Sequence, residues 1–239
     1  MALERVDKIL ANTGRWSRKE AADLVRAGRV LAEGTPVCRR EEKFPIGTRF
    51  QVDGEDISTE KYVYLMLHKP AGLVSATEDP REPTVLSLLP EHLRRIGLFP
   101  AGRLDKDTVG LLLLTNDGAL AHALLAPKNH VDKRYLVRVE GTLDGEDEKA
   151  FREGMVLGGG FQCLPAGLEI LGPHDAVVTL REGKYHQIKR MCAARGKRVI
   201  FLKRLTFGPL ALDETLEPGQ WRPLAEEERK ALWEAAGPL

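Results

Sequence analysis

Four consecutive leucines, Leu111–Leu114, form the longest purely aliphatic run in the chain, and the turn residues Asn116-Asp117-Gly118 follow almost at once. The run is far short of the ~20 apolar residues that a membrane-spanning helix needs. It is also too short for a typical helix, and so predicts a buried strand. A buried strand needs cover from neighbouring elements, which demands a layered fold. The chain has material for one. It holds 239 residues, 43% of them hydrophobic and 30% charged, a balance typical of packed globular domains and unlike that of disordered chains. The first residues, Leu3-Glu4-Arg5-Val6-Asp7-Lys8, carry no apolar signal region.

The first fifty or so residues read as a small module. Leu3, Val6, Ile9 and Leu10 recur at helical spacing, and Gly14 ends that helix. Ser17 and Glu20 fit a capping box that opens a second helix, with Ala21, Leu24 and Val25 inward and Gly28 as its stop. Short strands follow near Val30-Leu31, Val37 and Arg49–Val52. The polar stretch Glu55–Lys61 lacks periodicity and marks a boundary, dividing the chain into residues 1–58 and 59–239. Beyond it, strands near Tyr62–Leu67, Gly110–Thr115, Lys133–Glu140, Leu168–Leu171, Ala176–Arg181 and Val199–Leu205 alternate with helical stretches. Those stretches lie near Thr84–Leu89, Ala119–Leu125, Asp147–Gly154, Tyr185–Arg195 and beyond Ala225. The interleaving has no strict βαβ rhythm. The expected class is therefore α+β, a small N-terminal α/β module followed by a domain built on a mixed sheet.

Net charge is only +1, but the charge is unevenly placed. Residues 1–49 carry 11 Lys/Arg against 7 Asp/Glu, and residues 181–204 carry 9 against the single acid Glu182. Residues 213–239 reverse the sign, with 7 acids and 3 bases. Clustered positive charge attracts phosphate even where the net charge is small. The three cysteines, Cys38, Cys163 and Cys192, form no CxxC pair and are odd in number. Free thiols in a reducing cytoplasmic compartment, and no metal site, are the expectation. No Gly-rich phosphate loop occurs, so no nucleotide cofactor is indicated.

Four segments concentrate reactive side chains. Gly102-Arg103-Leu104-Asp105-Lys106-Asp107 feeds the buried leucine strand, a rigid place from which to present a carboxylate. Arg103 and Lys106 beside Asp105 would favour its ionised form, although solvated ion pairs in a turn produce the same pattern. In Lys133-Arg134-Tyr135-Leu136-Val137, Tyr135 could stack on a base while Lys133 meets a phosphate. Gly183–Met191 places Lys189 and Arg190 in the first turns of a basic helix, suited to a buried carboxylate or to phosphates. His68-Lys69-Pro70-Ala71-Gly72 punctuates a strand.

Taken in order, these segments closely resemble the pseudouridine synthases of the ribosomal small-subunit synthase A group. The motifs are Lys69-Pro70-Ala71-Gly72, Gly102–Asp105, Asp107–Leu111, Lys133–Val137 and Gly183–Met191, and the match runs essentially end to end. Residues 1–58 separately resemble the RNA-binding domain named after ribosomal protein S-four, through Arg5, Asp7, Lys8, Ser17, Arg18, Ala21, Leu24, Gly28, Val30, Gly34 and Val37. The resemblance implies a catalytic domain with a central, largely antiparallel sheet, an RNA cleft, and neither cofactor nor metal. It implies Asp105 as the catalytic carboxylate, Tyr135 packed on the target base, and Lys189 paired with Asp105 where many relatives have Arg. Expected RNA contacts are Arg5, Lys8, Ser17, Arg18, Arg26, Lys69, Arg103, Lys133, Lys184, His186, Gln187 and Arg190. Leu98–Gly102 and residues 127–130 look more like the small-subunit group than its large-subunit cousins, which points to 16S rRNA and a site of the uridine 516 type. A 23S rRNA synthase is the alternative, and a non-catalytic ribosome-assembly protein the alternative of another class. A monomer acting on rRNA, bare or in an assembly intermediate with ribosomal proteins, and away from membranes, completes the expectation.

Overall fold

The computed structural model describes residues 3–45, 47–126 and 131–237. Residues 127–130, part of the small-subunit resemblance, therefore lie outside the described residues. Contacts divide the chain into two units, Met1–Val63 with Leu86–Leu98, and Tyr64–Val85 with Phe99–Leu239.

The first unit contains β1 (Leu3–Arg5), α1 (Val6–Asn12), α2 (Arg18–Arg26), β2 (Val30–Ala32), β3 (Thr35–Pro36), β4 (Lys43–Pro45), β5 (Phe50–Val52), β6 (Glu55–Ile57) and α3 (Glu91–Arg95). Leu3 is exposed in a strand rather than helical, because β1 pairs antiparallel with β4 before α1 begins at Val6. Ser17 Oγ accepts from the Glu20 N–H while the Glu20 carboxylate accepts from the Ser17 N–H, the capping box expected at the start of α2. The antiparallel sheet β3-β2-β5-β6 lies in this unit, and Val6, Leu10, Ala21, Val25, Val30 and Phe50 form its core. The polar stretch expected to mark a boundary thus contains β6, and the division falls at Val63/Tyr64. The unit also takes in Leu86–Leu98, which sequence order had placed in the larger domain. Gly14 explains the close fit of that segment: it has φ +74°, and a Cβ there would stand 2.1 Å from the His92 carbonyl oxygen.

The second unit runs through β7 (Tyr64–Lys69), β8 (Phe99–Pro100), β9 (Val109–Thr115), α4 (Gly118–Leu125), β10 (Lys133–Glu140), α5 (Gly145–Glu153), β11 (Val156–Leu157) and β12 (Phe161–Gln162). It continues with β13 (Gly167–Ile170), β14 (Asp175–Leu180), α6 (Gln187–Ala194), β15 (Arg198–Phe207), β16 (Leu210–Ala211), β17 (Trp221–Pro223) and α7 (Glu226–Ala236). Among the described residues its sheet has nine strands, in the order β13-β14-β10-β15-β9-β7-β17, with β16 beside β15 and β8 beside β9. Each pairing is antiparallel except β9 with β15. The α+β class and the largely antiparallel mixed sheet are as expected. Leu111–Leu114 are fully buried in β9, near the middle of the sheet. Gly110 permits the parallel crossing: a Cβ there would lie 2.3 Å from the Arg204 carbonyl oxygen of β15, and its φ is +104°. β10 alternates strictly, with Lys133, Tyr135, Val137 and Val139 inward and Arg134, Arg138 and Glu140 outward.

Candidate active site

The loop from Arg103 to Thr108 enters β9, and its shape is fixed from three sides. Leu104 is buried; its N–H donates to Ser75 Oγ at 3.1 Å, and the Ser75 hydroxyl donates to the Leu104 carbonyl at 2.9 Å. The Gly72 N–H donates to the Lys106 carbonyl at 2.8 Å. Lys69, wholly buried, donates through Nζ to the carbonyls of Pro70, Asp105, Lys106 and Thr108 at 2.9–3.3 Å. Burial pulls the Lys69 ammonium down to about 8, although Asp107 and Asp105 act in the opposite direction. The Lys-Pro-x-Gly turn is thus the anchor of the Asp105 loop.

Asp105 leaves this scaffold with its side chain 27% exposed, facing an open cleft. Arg103, Leu104, Tyr135, Leu180, His186, Lys189 and Leu202 contribute to its walls. Lys189, in the first turn of α6, places Nζ 3.1 Å from Asp105 Oδ2 and 2.5 Å from Asp107 Oδ1. Burial works against its charge, but hydrogen bonds to Asp107 and Asp105 outweigh it and raise the Lys189 pKa. Asp107 responds in the opposite sense. Burial would raise its pKa, yet the Lys189 hydrogen bond and charge hold it below the ordinary value. His186 Nε2 stands 3.6 Å from Asp105 Oδ1 on the other side. Tyr135 is buried in β10 and lines the same cleft. The three residues expected to act together, Asp105, Tyr135 and Lys189, therefore share one cavity. Neither expected neighbour holds the carboxylate: Lys106 pairs with Glu82 at 2.7 Å, and Arg103 stays exposed on the cleft wall with no partner among the described residues.

Burial corrects three expected RNA contacts. Lys69 is saturated inside the loop, as described. Lys133 is buried, with Nζ donating to the Val131 carbonyl at 2.8 Å and lying 5.5 Å from the Phe207 ring centroid. Burial and the nearby Arg204 lower its pKa to about 8. Gln187 is buried, its amide nitrogen donating to Glu182 at 2.5 Å and its oxygen accepting from the Lys184 N–H at 3.0 Å. It shapes the loop that precedes α6. The other expected contacts stay outside the core. Lys184 is exposed near the Phe161 ring, and Arg190 donates to the Gly158 carbonyl at 2.8 Å. In the first unit Arg5 and Arg18 both reach Asp7, Lys8 pairs with Glu4, Arg26 pairs with Asp23, and Ser17 caps α2. Much of the basic stretch 181–204 is likewise consumed within the protein. Arg195 and Lys197 hold Asp147, Arg198 holds Glu140, and Arg181 holds Asp132. Arg204 is buried and donates through Nε to the Leu111 carbonyl at 2.6 Å.

Sequence reading assigned no role to Ser75, or to Thr108 within the Asp107–Leu111 motif, although they fix or line the site. A lone Ser or Thr in a loop carries no local signal of such a role. Among the described residues, no three His, Cys, Asp or Glu side chains gather at metal-binding spacing.

A carboxylate fixed on a pinned loop, paired with a lysine and overlooked by a buried tyrosine in a nine-stranded mixed sheet, defines a class of protein that the comparisons name. Residues 63–194, more than half the chain, match the RNA pseudouridylate synthases, and the chain belongs to that family of RNA-modifying isomerases. A solved pseudouridylate synthase superimposes with a TM-score of 0.69 at 36% identity, over 95% of this chain and 99% of its own. Among sequence relatives, an uncharacterized RNA pseudouridine synthase of Bacillus subtilis, YtzG, is 46% identical over 95% of this chain and 98% of its own. The ribosomal small subunit pseudouridine synthase A of Pseudomonas aeruginosa is 42% identical over 94% and 98%. Its Vibrio cholerae counterpart is 40% identical over 96% and 99%. Within the family, the chain is of this small-subunit synthase A type.

Proposed function

We propose that the chain isomerises one uridine of 16S ribosomal RNA, at a site of the uridine 516 type, with Asp105 as the catalytic carboxylate. The observation that carries the chemistry is the Asp105–Lys189 pair at 3.1 Å in a cleft that Tyr135 also lines. The choice of 16S rRNA rests on the names of the Pseudomonas and Vibrio relatives. The reaction breaks the bond between ribose C1′ and uracil N1, turns the base, and joins C1′ to carbon 5, which loses its proton while N1 gains one. Neither reacting atom is reachable in a stacked helix. The nucleotide must flip out, at a cost of a few kcal/mol. The Tyr135 ring offers a face to the flipped base, an interaction worth ~1–3 kcal/mol in single-strand binders. Asp105 acts on the nucleotide as nucleophile or base. Lys189 supplies the opposing charge that lets a carboxylate sit in a partly closed cleft, as a point charge rather than as the fork an arginine would present. The first unit adds RNA affinity through its exposed cations, and the enzyme works in the cytoplasm on rRNA, bare or in an assembly intermediate.

Mapping pseudouridines in rRNA from a strain lacking the gene tests this reading. Loss of one 16S site supports it. Loss of a 23S site instead reassigns the substrate, and an unchanged map refutes catalysis on rRNA.

A further inference from the structure

α6 starts two residues later than helical periodicity suggests. His186 interrupts it with φ +49° and ψ 34°, a left-handed conformation costly for a residue with a side chain. The consequence is local and specific. Consecutive side chains normally diverge, but this turn folds the His186 ring back against Tyr185. The two rings stack with centroids 3.8 Å apart and planes 17° from parallel. His186 is the inner member, lining the cleft with Nε2 3.6 Å from Asp105 Oδ1. Tyr185 is the outer member and is 72% exposed. Its ring touches no other ring among the described residues, and its hydroxyl has no partner there. Core packing therefore does not account for it.

We propose that Tyr185 is the seat for a second RNA base, the one adjacent in the strand to the uridine that enters the cleft. The proposal rests on the reading of Asp105 as the carboxylate that meets a flipped uridine. Flipping one nucleotide strips a stacking face from each of its neighbours. A parallel aromatic pair that starts beside the carboxylate and ends in solvent presents such a face, and it does so without regard to base identity. Two exposed cations on the cleft wall, Arg103 and Lys184, lack carboxylate partners among the described residues. They would face the phosphates on either side of a nucleotide drawn into the cleft. An apolar protein partner would leave these charges uncompensated, whereas RNA satisfies them. The left-handed strain at His186 then has a purpose, since it aligns the stack with the path of the strand.

The test uses the full-length protein and whichever unmodified rRNA transcript, 16S or 23S, it converts, with tritium release from carbon 5 as the readout. Tyr185→Phe keeps the ring and should stay within about twofold of the parent. Tyr185→Ala should raise the RNA concentration for half-maximal rate about tenfold, the weight of one base–aromatic stack, with a smaller change in the saturating rate. An abasic residue on one side of the target uridine should cost the parent protein the same factor and cost Tyr185→Ala nothing further. If Tyr185→Ala behaves as the parent, or if its loss and the abasic loss multiply independently, no base sits there. A lowered melting temperature with a reduced saturating rate and no dependence on the abasic residue would mean that Tyr185 merely props His186, which also overturns the proposal. Turnover by Asp105→Asn would instead overturn the underlying reading, a result separable from all of these.

Discussion

Asp105 and Asp147 are two carboxylates of one unit, both held by cations from the same basic stretch. Lys189 holds the first at 3.1 Å. Arg195 and Lys197 hold the second at 3.0 and 2.8 Å, and the Asp144 N–H also donates to it. Their ion pairing is alike; their access is not. The Asp105 side chain is 27% exposed and faces a cleft, while that of Asp147 is 1% exposed and sealed beneath the end of α6. The first is the pair we propose for the chemistry. The other ties α5 to the helix that carries Lys189. Charge alone does not distinguish a catalytic carboxylate from a structural one; the space above it does.

The largest expected effect separates the two directly. Asp105→Asn should lower turnover about ten-thousandfold, as loss of an acting carboxylate does, while RNA affinity in a filter-binding titration stays close to the parent because phosphate contacts dominate it. Asp147→Asn should keep its turnover per folded molecule, and a comparable loss there would erase the distinction. Asp147→Ala should instead destabilise the fold by about 3 kcal/mol in urea denaturation. That is the low end for breaking a buried pair, because Arg195 retains access to water.

Acid sharpens the same contrast. Burial would raise the Asp147 pKa, but hydrogen bonds from Lys197, Asp144 and Arg195 more than offset this and hold it below 3.8. A depressed folded-state value means stability that is fully present above the unfolded carboxylate range and lost as pH falls through the folded value. The melting temperature should therefore drop on acidification below about pH 4, and should drop less steeply in Asp147→Asn. An identical acid limb in both proteins would show that other groups set it.

Lys69→Met tests the loop beneath Asp105. With the donor to four carbonyls removed, the carboxylate should shift, and turnover should fall about a hundredfold, the penalty of a misplacement near 1 Å. RNA affinity should hold, since Lys69 is buried; a weakened affinity with intact turnover would restore it as a phosphate contact. Arg103→Ala, at the open edge, should have the smallest effect. A severalfold rise in KM and a salt dependence shallower by about one unit mark the loss of one phosphate contact.

How much of this was legible varies by element. The capping box at Ser17, the buried leucines of β9 and the alternation of β10 are local patterns, and they appear as read. The class of sheet was legible too, but its one parallel pairing was not, because β9 and β15 are remote in sequence and the match depends on Gly110 meeting the Arg204 backbone. Lys69, Lys133 and Gln187 read as surface contacts because Lys and Gln are usually exposed. Only the folded chain shows the carbonyls, ring and carboxylate that hold them inside. The segment Leu86–Leu98 carried no sign that it would join the first unit.

The amino-acid sequence by itself determined the family, the catalytic candidates and the element types, since all of these rest on residue identity and short spacing. Tertiary structure alone decided which carboxylate opens to solvent, which cations remain free for phosphate, and that Lys189, expected beside Asp105, also reaches Asp107. The reason is physical: the sign of a charge belongs to the residue, whereas its partner and its contact with water depend on chain segments far away in sequence.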